Sequence, residues 1–158
     1  MNGPTTVANQ PFPRNHEGHS GWTIQQLDTD RVPSPALDGD PHIVLLHIGT
    51  NDMWQGADGA PERLATLIDQ ILADLPQSLL VVAKIVPYPQ QSSKVETFNA
   101  AIPALIEERA SAGKHILLVD QFTGFDDEEE LADGVHPNAA GYARMAETWY
   151  AAISSYLD

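Results

Sequence analysis

The feature that most constrains this fold is an alternation of short apolar runs with longer amphipathic segments, which continues from residue 42 to the end of the chain. The runs at 42–48, 79–86 and 115–119 are largely apolar, and a glycine, a proline or an aspartate follows each of them. Strands that are covered on both faces of a sheet have this composition. The three runs therefore predict three strands of a parallel sheet.

The segments that follow these runs have the spacing of helices. Apolar side chains recur every three or four residues in 61–75, where Pro61 suits the first turn. We predict further helices at 95–112, which Gly113 would end, and at about 137–156. Strands that alternate with helices in this way indicate an α/β fold, a parallel sheet covered by helices.

The length and the proline distribution predict a single domain over residues 1–158. A chain of 158 residues with 42% hydrophobic residues can bury one core of ordinary size. Residues 1–41 hold six prolines, so we expect irregular structure there, above all in 1–15, with one short helix at 23–27.

Charge and composition narrow the possible partners. The 22 acidic and 8 basic residues give a net charge of −14, which disfavours nucleic acids and anionic membranes and is compatible with a neutral or cationic small substrate. Cysteine is absent, so disulfides and thiolate chemistry are excluded. No apolar run approaches the about 20 residues of a spanning helix, and the first residues lack a signal-peptide pattern, so a cytoplasmic location is the default expectation.

Ligands of open α/β sheets bind beyond the carboxyl ends of the strands, so the polar residues after each run are the first candidates. Asn51 follows the first run and Gly49, where its amide could donate to an oxyanion. The alternative is an Asx turn that leads into the next loop.

A second candidate lies at residues 133–138. Asp133 precedes His136 by three residues, a spacing that lets the carboxylate bind Nδ1 and leaves Nε2 free as a general base. Pro137 fits the first position of the last helix. The alternative is an N-cap loop in which the aspartate satisfies helix amides and the histidine has no role.

A third candidate is the glycine-bracketed segment 16–22, which contains His16, Glu17, His19, Ser20 and a tryptophan. The spacing differs from that of a helical zinc motif, and the glycines favour a loop. We therefore interpret it as a turn packed on Trp22, and we expect neither a metal nor a cofactor.

The three segments occur together and in order, and together they resemble the SGNH (GDSL-type) hydrolases. The similarity covers the chain from about residue 14, and it is greatest to the branch that contains carbohydrate esterase family 3 acetyl-xylan esterases. The resemblance implies a flavodoxin-like sheet with helices on both faces and hydrolysis of small acyl esters, such as acetyl esters of carbohydrates. It also implies that Gly21 and Asn51 form the oxyanion hole and that Asp133 and His136 are the acid and base.

One part of the family pattern is missing. Its nucleophile is a serine in a G-D-S block on the first strand–helix turn, and this sequence contains no such block. Because that strand lies inside the family's sheet, its absence would leave backbone groups unpaired. We expect either the segment 5–12 or a partner subunit to cover the gap, and we favour a homodimer.

Three hypotheses follow for the activity. In the first, Ser20 replaces the missing nucleophile, with Ser92 and Ser93 as weaker candidates. In the second, His136 activates water directly. In the third, the chain is an inactive or impaired truncated homologue, a folded remnant or a carbohydrate-binding module.

Two further expectations concern the surroundings of the site. Trp22, Trp54 and Tyr88 are candidates for a sugar-stacking platform, with simple packing as the alternative. The acidic run 126–130 is expected to be a solvated loop rather than a calcium site. If His136 is the base, hydrolysis should increase with pH as its imidazolium deprotonates, in the region of an ordinary histidine pKa of about 6.5.

Overall fold

The computed structural model describes residues 6–7, 9–11 and 16–157. Its main sheet has three parallel strands in the order β3–β4–β5, and a separate antiparallel hairpin precedes it. The strands are β1 (Thr6–Val7), β2 (Gln10–Pro11), β3 (Ile43–Leu46), β4 (Leu79–Lys84) and β5 (Ile116–Asp120). The helices are α1 (Ile24–Asp30), α2 (Thr50–Gln55), α3 (Ala60–Asp74), α4 (Ser92–Ser111) and α5 (Ala139–Ile153), with short 3-10 turns at Pro89–Gln91 and Ser154–Tyr156.

The predicted alternation of strands and helices is confirmed, with ends that differ by a few residues. The strand at each apolar run pairs in parallel with its neighbour, and α3, α4 and α5 occupy the three predicted helical segments. The short helix predicted at 23–27 extends to Asp30. It begins with a capping box in which Thr23 and Gln26 bind each other's backbone amides.

One alternative left open by the sequence does not fit the structure, and one local prediction is wrong. The segment after β3 is helix α2 rather than an Asx turn, because Gly49 turns the chain with φ +125° and the helix follows at once. A side chain at residue 49 would lie 2.7 Å from the ring of Phe98, so the turn requires glycine. Pro137 is not the first residue of α5. Asn138 is its N-cap and accepts hydrogen bonds from the amides of residues 140 and 141.

The main core lies between one face of the sheet and the helices α1, α3 and α4. Sheet residues of this face are buried beneath apolar helix side chains, among them Leu46, Leu80, Val82 and Ile116 from the strands and Leu64, Ile68, Phe98 and Ile102 from the helices. Asn99 of α4 is also buried, and its amide binds both backbone groups of Ile85 just beyond β4. This packing fixes the carboxyl ends of the strands, which carry the candidate site.

The sheet is open at β3. Among the described residues β3 pairs only with β4, and β1 and β2 pair with each other. The described part of the segment 5–12 therefore does not cover this edge, and residues 5, 8 and 12 lie outside the described ranges.

Large apolar side chains are exposed on β3 and on α5 with its C-terminal extension. We call them the open face: Leu45, Tyr142, Tyr150, Tyr156 and Leu157 are 46 to 64% exposed. Gly141 is the one buried residue of α5. A cavity of about 670 Å³ lies at the amino ends of the strands and reaches the C-terminal turn.

No helix in the described part of the chain is long and apolar enough to cross a membrane.

Candidate active site

Asp133 and His136 lie in a tight loop between β5 and α5. A bridge between Leu131 and Pro137 closes this loop, and the amide of Ala132 donates to the carbonyl of His136 at 2.8 Å. Gly134 adopts φ +82° at the tip of the loop. These backbone contacts help to fix the geometry of the loop.

The two side chains meet as their spacing predicts. Asp133 Oδ2 lies 2.9 Å from Nδ1 of His136, and Asp133 Oδ1 accepts from the amides of Val135 and His136 at 3.0 and 2.8 Å. The His136 amide bond and the imidazole contact lower the pKa of Asp133 to about 2. The carboxylate is therefore ionised at neutral pH, and the imidazole can donate from Nδ1 and accept at Nε2.

The histidine side chain is open to solvent. The side chains of His136 and Asp133 are 71% and 57% exposed, and Asn138 rather than Asp133 caps the following helix. Among the described residues, no serine hydroxyl forms a hydrogen bond with the imidazole, and this holds for Ser20, Ser92 and Ser93. The structure brings Asp133 and His136 together but does not join a serine to them.

The segment 16–22 folds around the carboxylate of Glu17. Arg31 donates to it from Nε and Nη2 at 2.8 and 3.1 Å, and Nε2 of His19 lies 2.9 Å away. These hydrogen bonds, the one from Arg31 first, lower the pKa of Glu17 to about 2. The His19 ring stacks on Trp22 with its centroid 4.1 Å away. Glu17 and His19 thus form the scaffold of the loop that carries Gly21.

His16 belongs to the same turn, since its Nδ1 accepts from the amide of Gly18 at 2.9 Å. In the part of the chain that the structure describes, no three histidine or acidic side chains converge as metal ligands.

Helix α2 holds the Gly21 loop through three polar side chains. Asn51 Nδ2 donates to the carbonyl of Trp22 at 3.0 Å, and Gln55 Nε2 donates to the carbonyl of Gly21 at 2.8 Å. Asp52 Oδ2 accepts from the amide of Ile24 at 2.9 Å. An amide nitrogen has two protons, so one N–H of Asn51 is available for another acceptor. Gly21 and Asn51 are therefore brought to one place in the structure.

Sequence reasoning missed the ion pair that fixes α2. The carboxylate of Asp52 is fully buried, and Arg63 of α3 donates to Asp52 Oδ1 from Nη2 and Nε at 2.9 and 3.2 Å. Arg63 also donates to the carbonyls of Gly56 and Asp58. An aspartate directly after Asn51 was the available signal, but nothing in the sequence linked it to an arginine eleven positions later.

His47 is a second residue that sequence reasoning missed. Its Nε2 accepts from the amide of Val86 at 3.3 Å, which ties the carboxyl ends of β3 and β4 together. Burial lowers the pKa of His47 to about 4, so it is neutral at physiological pH. Neutral His47 is therefore a hydrogen-bond acceptor in the sheet, and the amide of Val86 occupies its Nε2.

The three aromatic candidates lie on separate elements. Trp22 has one face covered by His19, and Trp54 projects from α2 with 64% of its surface exposed. Tyr88 packs against the main core just before the 3-10 turn. Within the described ranges, Trp22 stacks on His19, and Trp22, Trp54 and Tyr88 do not stack on one another.

The acidic run 126–130 forms turns that bind its own backbone. Asp126 accepts from the amides of Glu128 and Glu129, and Glu130 accepts from the amide of Asp126 and from Arg144. The segment is largely exposed.

Comparisons with known proteins agree on one family. The model of the GDSL-like lipase/acylhydrolase family matches residues 3–144. A multidomain esterase of Ruminococcus flavefaciens is 32% identical over 90% of this chain, and the match spans 21% of that protein. This chain thus spans only about a fifth of that relative's length.

Solved structures of esterases are also similar to this chain. A family 3 carbohydrate esterase of Clostridium thermocellum is 34% identical, with a TM-score of 0.79 over 94% of this chain and 71% of that chain. A serine-to-alanine mutant of an acetyl esterase, crystallised with an acetate ion, is 26% identical, with a TM-score of 0.81 over 95% of this chain and 77% of that chain.

Proposed function

We propose, because the chain belongs to the GDSL-like lipase/acylhydrolase family, that it hydrolyses small acyl esters and prefers acetyl esters. The observation that carries the proposal is the Asp133–His136 pair, whose geometry leaves Nε2 exposed as a base. The similarity to an acetyl esterase and to a family 3 carbohydrate esterase supports the choice of acyl group.

In the mechanism that needs no serine, His136 Nε2 accepts a proton from water while the oxygen of that water attacks the ester carbonyl. The amide of Gly21 and the free N–H of Asn51 donate to the oxyanion that develops. When the intermediate collapses, the C–O bond to the alcohol breaks, and the imidazolium returns its proton to the leaving alkoxide. The products are a carboxylic acid and an alcohol.

The expected rate is low in this form of the mechanism. Triad enzymes that lose catalytic residues retain about 10³–10⁴-fold acceleration over water through their oxyanion hole and substrate binding. Activated esters such as p-nitrophenyl acetate are therefore the substrates with which to look for activity first.

The alternative within the same function is a replacement nucleophile, for which Ser20 is the candidate because it precedes Gly21. Ser20 is exposed, and its hydroxyl would have to reach Nε2 of His136 when substrate binds. Apo geometry alone does not exclude such an approach, since catalytic contacts commonly tighten on binding.

The experiment is p-nitrophenyl acetate hydrolysis by the wild type and by His136→Ala, Ser20→Ala and His42→Ala. His42 is exposed and lies at the opposite end of β3, so its variant is the matched control. Loss of activity in the His136 variant alone supports direct water activation, and loss in both the His136 and Ser20 variants supports the serine mechanism. Equal rates for all four proteins, at the level of buffer, would contradict hydrolysis and favour a folded homologue without activity or a carbohydrate-binding module.

For the alcohol part of the ester we propose a carbohydrate, with exposed Trp54 as the first candidate for the stacking side chain and Trp22 and Tyr88 as further candidates. Trp54→Ala should slow the release of acetate from an acetylated xylo-oligosaccharide while hydrolysis of p-nitrophenyl acetate is unchanged. Equal loss on both substrates would argue against sugar stacking.

We also propose that a second copy of the chain covers the open face and the unpaired edge of β3. Edge strands are self-complementary, and two copies related by a twofold axis would pair their β3 strands antiparallel. The sequence of α5 contains one arginine and one glutamate, so this helix is neutral in a chain of net charge −14. Two copies repel each other least across such a neutral, apolar face.

A further inference from the structure

A groove of about 410 Å³ lies between the loops that follow β4 and β5. We call it the β4–β5 groove. Its lining includes Tyr88, Ser92, Glu96, Phe122, Phe125 and Asp127. The 3-10 turn beside it carries Gln90, whose amide approaches Gly134 in the Asp133–His136 loop, so the groove adjoins the candidate active site.

The walls of the groove are aromatic and rigidly held. Tyr88 and Phe122 pack against the main core with part of each side chain, and Phe125 belongs to a smaller buried cluster with Val86 and Leu131. Rings that are fixed in this way lose little conformational entropy when a ligand binds, and their faces carry the negative part of the ring quadrupole.

The charge of the groove has one sign. Glu96 of α4 and Asp127 of the β5–α5 loop line it, and neither takes part in a salt bridge among the described residues. Among the described residues, none of those that line the groove is a lysine, an arginine or a histidine. Arg144 lies behind Gly124, and both contacts of its Nε go to the carboxylate of Glu130 at 2.8 and 2.9 Å.

We propose that the β4–β5 groove binds an organic cation of the alkylammonium class. Aromatic faces attract such a cation through their quadrupoles, and the two carboxylates add Coulomb attraction that the net charge of −14 reinforces. A neutral sugar could stack on the rings and form hydrogen bonds, but it would gain no Coulomb attraction from the carboxylates. The proposal does not depend on ester hydrolysis, because it concerns binding at a neighbouring site.

The test is a titration of the intact chain with choline and, separately, with 3,3-dimethylbutan-1-ol. Two-dimensional NMR spectra at low ionic strength measure the binding of each compound. The two compounds have nearly the same shape, but only choline is charged. We expect choline to bind about tenfold more tightly, with contacts from its methyl protons to the rings of Tyr88 and Phe122. Added salt should weaken the binding of choline and leave the affinity for the neutral alcohol unchanged.

Variants locate the site. Glu96→Gln and Asp127→Asn should each weaken choline binding roughly two- to fivefold, as expected for exposed charge pairs. Glu107→Gln is the matched control, because it removes an exposed carboxylate from the same helix α4 outside the groove. Circular dichroism verifies that each variant is folded.

Three results would overturn the proposal. Equal affinity for choline and the neutral alcohol would show an apolar groove without selectivity for charge. Choline contacts away from the groove, or no contact at 50 mM (about the weakest binding that NMR detects), would exclude the site. Xylotetraose that binds in the groove while choline does not would assign it to a carbohydrate. All of these outcomes are independent of whether the chain hydrolyses p-nitrophenyl acetate.

Discussion

Asp133 has a geometry in which one carboxylate orders both a loop and an imidazole. Its Oδ1 accepts two backbone amides, and its Oδ2 contacts His136. The hydrogen bonds from His136 and from the amide of Val135 lower the pKa of Asp133 to about 2, so the carboxylate is ionised at neutral pH. A change in rate between pH 5 and 8 therefore cannot come from this aspartate.

The first prediction is a pH profile of hydrolysis. If His136 is the base, only its neutral imidazole can accept the proton from water, so the rate of p-nitrophenyl acetate hydrolysis should be higher at pH 8 than at pH 5. Stopped-flow absorbance of p-nitrophenol, read at its isosbestic wavelength, measures this directly. A flat profile over this range would remove His136 from the role of base.

His47 gives a second prediction, on stability. Its pKa is about 4 when folded, against about 6.5 when unfolded, so the unfolded state binds more protons between these values. The contribution of His47 to stability is therefore largest above pH 6.5 and falls by about 2 to 3 kcal/mol as the pH drops to 4.5. The low carboxylate pKa values of Glu17, Asp120 and Asp133 take effect at lower pH, since their stabilisation is lost only below about 4.5.

Urea unfolding of the wild type and of His47→Gln at pH 7 and 4.5 measures this contribution. The variant should lose less free energy of unfolding than the wild type between the two pH values. His115→Gln, at an exposed position, is the matched control and should follow the wild type. Parallel losses in all three proteins would contradict the assignment to His47.

Among the secondary-structure elements, α2 connects the Gly21 loop to the sheet. This six-residue helix is too short to be stable alone, so its position depends on contacts. The buried carboxylate of Asp52 supplies two of them, to the first amide of α1 and to Arg63 of α3. The placement of Gly21 beside Asn51 thus depends on an ion pair outside the candidate site.

The third prediction tests this ion pair. Arg63→Met leaves the buried carboxylate of Asp52 without its cation, and we expect the free energy of unfolding to fall by about 3 kcal/mol. Arg109→Met is the matched control, since its partner Asp69 is 62% exposed and the loss should stay below about 1 kcal/mol. Urea denaturation measures both. Equal losses of unfolding free energy in the two variants would mean that the burial of Asp52 does not make the Asp52–Arg63 ion pair the stronger one.

For the whole molecule, the described residues leave the outer edge of β3 unpaired and much of α5 exposed. The exposed apolar side chains of β3 and α5 are the physical basis for the proposed homodimer. The net charge of −14 opposes association at long range, so the dimer should be tighter at high salt, where the charges are screened.

The fourth prediction is that Tyr150→Lys or Leu45→Lys lowers the mass of the particle from dimer to monomer. Trp54→Lys is the matched control, because Trp54 is as exposed as Tyr150 but lies on α2. Light scattering after size exclusion at micromolar concentration measures the mass. A wild type that is monomeric at both low and high salt would contradict the dimer.

The elements that sequence reasoning predicted well are those with a strong periodic pattern. The strands, α3 and α4 bury apolar side chains that recur at a regular interval, and α5 occupies the third predicted helical segment. Helix α2 was missed because its position depends on Gly49, Asp52 and distant Arg63 rather than on such a pattern. The carboxylate–imidazole contact of Asp133 and His136 was predictable because three residues separate them and the contact is local.

The sequence alone determined the order of strands and helices, the parallel sheet and the local pair at residues 133 and 136. Each of these depends on neighbours in the chain or on a repeating apolar pattern. The tertiary structure decided which side chains meet across the fold: Asn51 with the loop of Gly21, Asp52 with Arg63, and His47 with the amide of Val86. It also decided that β3 is the strand next to the expected gap, since pairing between strands depends on how distant segments pack.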